Sequence, residues 1–407
     1  MSSPINPILA FTIVMLVWTI SDFVAKKTKS LLSSLFVASI IFLIGFLTGF
    51  FPEDLLASSS LLGLAGVVVG FIIVHLGTMI SLDDFKAQWK TFLIGVSTVV
   101  GIGLALLVAG FIFGPKISGS AADGFAQRID FVVAGTGALS GGTISVLIVQ
   151  EAALGVGLTS IAIFPVLIAA LQGLIGFPIT SLLLRREAAR LKGEYRAGNL
   201  APAAVKEKAD AGPVSKLPAA LLTTPGTLFC IGIVVLLSLG INNLTNGVLN
   251  TFVVALLFGI GLRTAGIFKP SALAGIDAFG LMMLAIMILV FAPLATVKPA
   301  DVAALALPLL LVFLFGVAGI ATFSALVGKL LGYSIPMSIS IGLTSLFGFP
   351  GTMILSQEAA KGAGESPEEV AAIEHEILPK MIIAGFATVT ITSVVITSII
   401  AGRIGTG

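Results

Sequence analysis

Two short stretches of this chain combine glycine, hydroxyl and carboxylate residues in a pattern suited to binding ions. The first reads Gly135-Thr136-Gly137-Ala138-Leu139-Ser140-Gly141-Gly142-Thr143-Ile144-Ser145 and leads into Gln150-Glu151-Ala152-Ala153. The second reads Thr344-Ser345-Leu346-Phe347-Gly348-Phe349-Pro350-Gly351-Thr352 and leads into Gln357-Glu358-Ala359-Ala360. Small residues let two chain segments approach closely and free their backbone groups. N–H groups at the start of a half-helix would hold a carboxylate. Carbonyls and hydroxyls, here those of Ser140, Thr143, Ser145, Ser345 and Thr352, suit a dehydrated Na⁺. The alternative for the first stretch is a glycine-rich helix-packing face. For the second it is a plain proline kink, because Pro350 disfavours helix at Phe349.

Several other groups are candidates. Glu151 and Glu358, each preceded by a glutamine, Gln150 or Gln357, are coupling candidates, since a carboxylate within a membrane is expensive and commonly functional. Both could equally cap a return to water. Lys380 follows Pro379 and could neutralise an anionic substrate, or snorkel beside Glu374, His375 and Glu376. His75 reads either as a buried neutral imidazole satisfied by a backbone carbonyl or as a proton relay. No nucleotide-phosphate loop, nucleophile–histidine arrangement or cysteine pair is present, so neither an enzyme nor an ATP-driven pump is expected. No cofactor or nucleic-acid partner is expected either.

The surrounding chain is oily. Hydrophobic residues form 57% of 407 positions and charged residues 10%, far below the roughly 25% of soluble domains. Twelve apolar segments are expected near 7–25, 32–51, 60–81, 91–114, 131–150, 157–184, 218–241, 247–262, 275–297, 302–332, 335–357 and 376–402. No cleavable leader is expected, and the single cysteine, Cys230, reads as packing. Between the sixth and seventh segments, Arg185 to Lys216 carries eight basic and four acidic residues. Its Gly193, Gly198, Pro202, Gly212 and Pro213 predict a broken helix, and so a linker over 185–217. The linker divides an N-terminal half, 1–184, from a C-terminal half, 218–407.

The halves resemble each other. Phe36–Gly45 aligns with Phe252–Gly261, Ile163-Phe164-Pro165 with Ile377-Leu378-Pro379, and the Gln-Glu-Ala-Ala copies with one another, at offsets of 216, 214 and 207. The positive-inside rule then arbitrates topology. If the fifth segment of each half is a re-entrant hairpin, Lys26, Lys27, Lys29, Lys86, Lys90, Arg263, Lys269 and Lys329 all fall on the linker's side. The expected fold is therefore an all-α integral membrane protein of two inverted repeats, each with five spanning helices and one hairpin. The hairpins are expected near 131–153 and 335–360, entering from outside and from the cytoplasm respectively. Both termini are expected outside a cell (inner) membrane, with the linker cytoplasmic.

This layout resembles the glutamate:sodium symporter family, related in fold to the 2-hydroxycarboxylate (citrate) symporters. The residues that carry the resemblance are Ala138-Leu139-Ser140-Gly141-Gly142-Thr143 and Gly348-Phe349-Pro350-Gly351-Thr352. The chain departs from the family where Thr143-Ile144-Ser145 replaces the histidine-glycine-threonine that often follows the serine-glycine-glycine of glutamate symporters. The resemblance implies substrate contacts at Ser140, Gly141, Gly142, Thr143, Gly348, Phe349, Pro350 and Gly351, with Na⁺ near the hairpins. It also implies a homodimer in which a hairpin-bearing part moves as an elevator against a scaffold. The expected function is Na⁺-coupled symport of a small carboxylate or acidic amino acid, in contact with lipid. The alternatives are a proton-coupled carrier or cation/proton antiporter that titrates Glu151, Glu358 or His75, and a Na⁺-translocating subunit of a larger complex.

Overall fold

The computed structural model describes residues 5–80, 82–120, 128–200, 215–245, 249–273 and 279–405. Residues 201–214 of the expected linker lie outside this set. The described residues are helical, without strands, and seven of their helices are long and apolar enough to cross a membrane. The first half contains α1 (Pro7–Lys27), α2 (Ser34–Leu47), α3 (Leu61–Met79), α4 (Trp89–Ser120), α5 (Arg128–Leu139), α6 (Thr143–Gly155) and α7 (Thr159–Arg196). The second contains α8 (Thr224–Leu244), α9 (Thr251–Thr264), α10 (Phe279–Phe291), α11 (Ala306–Leu330), α12 (Ile335–Leu343), α13 (Gly348–Ala363), α14 (Pro367–Phe386) and α15 (Ser393–Ala401). Helix starts carry the expected caps: Ser33, Thr223, Asn250 and Ser334 each accept from a backbone N–H in the first turn.

The chain forms two compact units, and each draws on both halves of the sequence. The smaller comprises 1–11, 55–89 and 204–289. Its centre is the crossing of α3 and α9 at Gly77 and Gly259. A Cβ on Gly77 would lie 2.9 Å from the Gly259 Cα and also meet the Leu256 carbonyl; one on Gly259 would meet the Val74 carbonyl. Only glycine lets two backbones pass so closely. Nearby, His75 is buried, and its Nδ1 accepts from the Leu273 N–H at 3.0 Å. An accepting Nδ1 is unprotonated, so this is the neutral imidazole. This partner is an amide, because the 271–273 segment turns its donors onto the end of α3. There the Ala272 N–H also reaches Thr78 Oγ1 at 2.9 Å.

The larger unit comprises 12–54, 90–203 and 290–407. Here α7 corrects the expected linker, for it runs unbroken through Arg185–Arg196 for a total of 38 residues. The run from Leu182 to Arg196 is rich in Leu, Ala, Glu and Arg, and a single interior glycine costs only about 1 kcal/mol. The helix stops where Gly198 takes a φ of 76°. Several charges of this extension pair with other side chains. Glu187 accepts from Arg190 at 2.7 Å and from Ser334 Oγ at 2.5 Å. Lys192 meets Glu365 at 2.6 Å, and Arg196 meets Glu365 and Glu369 at 2.7 and 2.6 Å.

Hydrogen bonds from Lys192 and Arg196 hold the Glu365 carboxyl down at about 2. A depressed folded-state value means that the stabilisation is complete above the unfolded value near 4.5 and fades as pH falls towards 2. The Glu365 side chain is largely exposed, so the effect is small. Glu365→Gln is expected to lower the unfolding midpoint slightly at pH 6, and the difference should vanish near pH 2. A difference that persists undiminished at pH 2 would remove the ion pair as its cause.

Candidate functional site

Both glycine-rich stretches fold back on themselves. α5 and α6 have 12 and 13 residues, about 18–20 Å each, too short to cross a ~30 Å hydrocarbon core singly. Gly141 and Gly142, with φ of 78° and 101°, make the turn between them. Gly137 before the turn lies against the Val149 side chain after it, a position 2.6 Å from a built Cβ. The two open ends also share a neighbour. The Gly405 N–H donates to Asp130 Oδ1 at 2.9 Å, and Gly405 packs on Val156.

The second stretch behaves likewise. α12 is followed by a 3₁₀ turn at Thr344–Leu346, then Phe347, Gly348 at φ 53° and a cis Phe349–Pro350 bond, before α13 continues. Leu346 and Phe347 at the tip touch Gly176 of α7. Both arms then run along α7 towards its C-terminus. Ser334, heading the first arm, bonds Glu187, while Glu365, just past the second arm, bonds Lys192. Because Phe131 at the base of the first hairpin meets Phe164 near the start of α7, the hairpins approach from opposite ends of this helix.

Their tips meet. A Cβ on Gly141 would collide with the Ser345 carbonyl oxygen and lie 2.8 Å from Val389 Cγ2. Gly142 and Gly348 also face Val389, which sits in a π-helical turn, Ala387–Thr392, between α14 and α15. Such turns in a long helix are frequent at functional sites. Around the tips lies a shell of buried hydroxyls. Ser145 Oγ donates to Ser393 Oγ at 3.1 Å, and Thr344 and Thr388 share a bond of 3.3 Å. A Cβ on Gly342 would lie 3.0 Å from Thr98 and 2.8 Å from Ser324, on α4 and α11. Ser140 donates to the Gly137 carbonyl at 3.1 Å.

Five further hydroxyls, on Thr136, Ser345, Thr352, Thr392 and Thr397, are buried and have no partner. An unpaired buried hydroxyl costs about 1–3 kcal/mol, and five in one region are beyond what packing requires. Thr136 packs on Gly103, Thr352 on Gly385 and Thr397 on Gly137, so the set brackets both tips. Uncharged oxygen donors such as these could hold a hard monovalent cation.

The structure thus gathers Ser140, Gly141, Gly142, Ser145, Ser345, Gly348, Phe349, Pro350, Gly351 and Thr352 at the tips. The backbone of Thr143 begins α6, but its side chain lies outside the described residues. Lys380 is elsewhere. It pairs with Glu376 at 2.7 Å beside the Tyr333 ring, nine residues before Val389, about 13 Å along the helix. The two glutamates lie in different surroundings. Glu151 is exposed. Glu358 is half-buried and accepts from the Ser34 N–H at 3.1 Å and from the Ser34 hydroxyl, capping α2. Gln150 is half-buried, and Gln357 donates to Glu374 at 3.2 Å. The sequence reading missed Thr388, Thr392, Ser393 and Thr397. Their signal was a run of hydroxyls, Thr388 to Ser393, inside an apolar segment read only for its length. No protein-family model and no curated protein matches this chain, so the tip geometry carries the functional argument.

Proposed function

We propose that this protein is a multi-pass membrane transporter that couples Na⁺ entry to uptake of a small carboxylate, using the two hairpin tips as its binding site. The observation that carries this reading is the cluster of five unpartnered buried hydroxyls around two touching helix breaks. Non-helical backbone is tolerated at membrane depth only where protein or a water-filled cavity surrounds it, and half-helix ends there are the common ligands of secondary transporters.

The inverted-repeat layout draws support from the contacts. The first tip packs on Val389 of the C-terminal half, and the second on Gly176 of the N-terminal half. These positions are 213 apart, close to the offset of the flanking prolines. Hairpins that approach α7 from opposite ends would enter from opposite faces of the bilayer, the first from outside and the second from the cytoplasm. In this reading the carboxylate meets the N-termini of α6 and α13, while Na⁺ meets hydroxyls and carbonyls. The tip-bearing core would move as an elevator in a homodimer, as the family resemblance implies.

Thr352→Val and Ser345→Ala test the reading. In Na⁺-free medium each variant should be as stable as the wild type, or more stable by about 1 kcal/mol, because an unsatisfied buried hydroxyl has gone. With Na⁺, but not K⁺, the wild-type melting midpoint should rise, as mass action on the folded state requires. The variants should lose at least half of that rise. Wild-type Na⁺ responses in both would remove these hydroxyls from the site. A proton-coupled reading rests on Glu358, and Glu358→Gln discriminates. It should leave Na⁺-driven uptake in place if the carboxylate only caps α2, and abolish pH-driven uptake if it carries a proton.

A further inference from the structure

The charge at the tips limits what the site can accept. None of the lysines and arginines whose side chains are described is buried as a whole residue, although Arg263 of the smaller unit has a buried, unpartnered Nη1, and Lys380 is already paired to Glu376. One Na⁺ offsets one carboxylate. A second carboxylate would enter a region of low dielectric with hydroxyls and backbone dipoles as its only partners, and unpaired buried charge is strongly disfavoured.

Two further buried polar groups without a partner lie on α7 within about a turn of Gly176, the Thr180 hydroxyl and the Gln172 carboxamide oxygen. Gln172 of α7 is 7% exposed, and its side-chain carbonyl oxygen is buried without a partner. It lies one helical turn before Gly176, on the same face of α7, and Gly176 is the residue that receives Leu346 and Phe347 of the second tip. From Gly176 the second hairpin's arms lead away towards Glu187, so Gln172 stands on the other side, towards the first hairpin. At the matching position before Val389, one turn earlier, Gly385 lies against Thr352, with a built Cβ 2.9 Å from its methyl. The glutamine therefore breaks the symmetry of an otherwise paired arrangement, as a contact with an asymmetric substrate would. Unlike a hydroxyl, a carboxamide oxygen is an acceptor only, so its partner must be an N–H or O–H donor or a cation.

We propose that Gln172 contacts the substrate, its carbonyl oxygen accepting from the ammonium group of a zwitterionic α-amino monocarboxylate, so that the site selects net-neutral amino acids over dicarboxylates. The inference rests on the tip site described above and narrows its substrate class. The ammonium meets the Gln172 oxygen, and the carboxylate meets Na⁺ and the helix starts, so each charged group of the substrate has a polar partner.

The test is a melting-point titration of purified, detergent-solubilised protein in saturating Na⁺. One set of probes is the uncharged L-amino acids, tested singly; the other is L-glutamate, succinate and malate. At least one uncharged amino acid should bind about a hundredfold or more tighter than any dicarboxylate. Gln172→Leu should weaken that amino acid at least tenfold and leave the rise due to Na⁺ alone unchanged. Gln172→Asn, which keeps the carbonyl on a shorter arm, should fall between. A preference for dicarboxylates, unaltered amino-acid affinity in Gln172→Leu, or no response to either set while the Na⁺ rise is intact would each overturn the inference alone. Loss of any Na⁺ response in the wild type would overturn the tip site itself and the inference with it.

Discussion

Gly141→Val is expected to abolish Na⁺-dependent stabilisation and uptake while costing about 3 kcal/mol or more of stability. Two penalties combine. The residue sits at a φ of 78°, where a β-branched side chain is strongly disfavoured. Its Cβ would also strike the Ser345 carbonyl and Val389. Backbone on one side and a helix on the other cannot both yield, so the tips must separate. Gly155→Ala in the same hairpin is the control. Nothing lies within 4 Å of a Cβ there, so stability and Na⁺ response should be unchanged or slightly improved. Wild-type melting and Na⁺ response in Gly141→Val would show that the tips do not need to touch.

Gly77→Val is expected to have the second largest effect, by way of the smaller unit. Both α3 and α9 present backbone at the crossing. A side chain on Gly77 meets the Leu256 carbonyl, the Gly259 Cα at 2.9 Å and the Ile260 nitrogen at 3.1 Å. Overpacking of this kind costs about 1–3 kcal/mol, and more when only backbone can move. Gly259→Val should do the same. The double variant should cost clearly less than the sum, because the first substitution already parts the helices. Gly66→Ala, also in α3 but facing open space, should instead be neutral or stabilising. Additive losses for Gly77 and Gly259, or none, would contradict a shared crossing.

Much of this architecture was legible in the sequence because it depends on residue types with strong local consequences. Gly141-Gly142 and Gly348-Phe349-Pro350 strongly disfavour continuous helix, so both helix breaks could be located, and the apolar segments follow from composition. What was not legible depends on partners distant in the chain. Gly193 looked like a stop, yet helix-forming neighbours and the pairs to Glu365 and Glu369 carry α7 through it. Lys380 looked available, yet Glu376 one turn away takes it. The repeated Gln-Glu-Ala-Ala suggested a common role, yet only Glu358 finds a helix start to cap. In the sequence, Thr136 is one residue of a glycine-rich run and Thr397 one residue of an apolar span. That both end without partners beside the tips is a tertiary fact, invisible to periodicity.

The most direct test of the account is which side of the membrane each hairpin opens on. In a Cys230→Ser background, which removes the only cysteine, Val156→Cys and Lys361→Cys place single exposed thiols at the open ends of the two hairpins. With an impermeant maleimide on intact cells, Val156→Cys should label directly, and Lys361→Cys only after permeabilisation. Labelling of both from the same side would contradict two hairpins that meet from opposite faces.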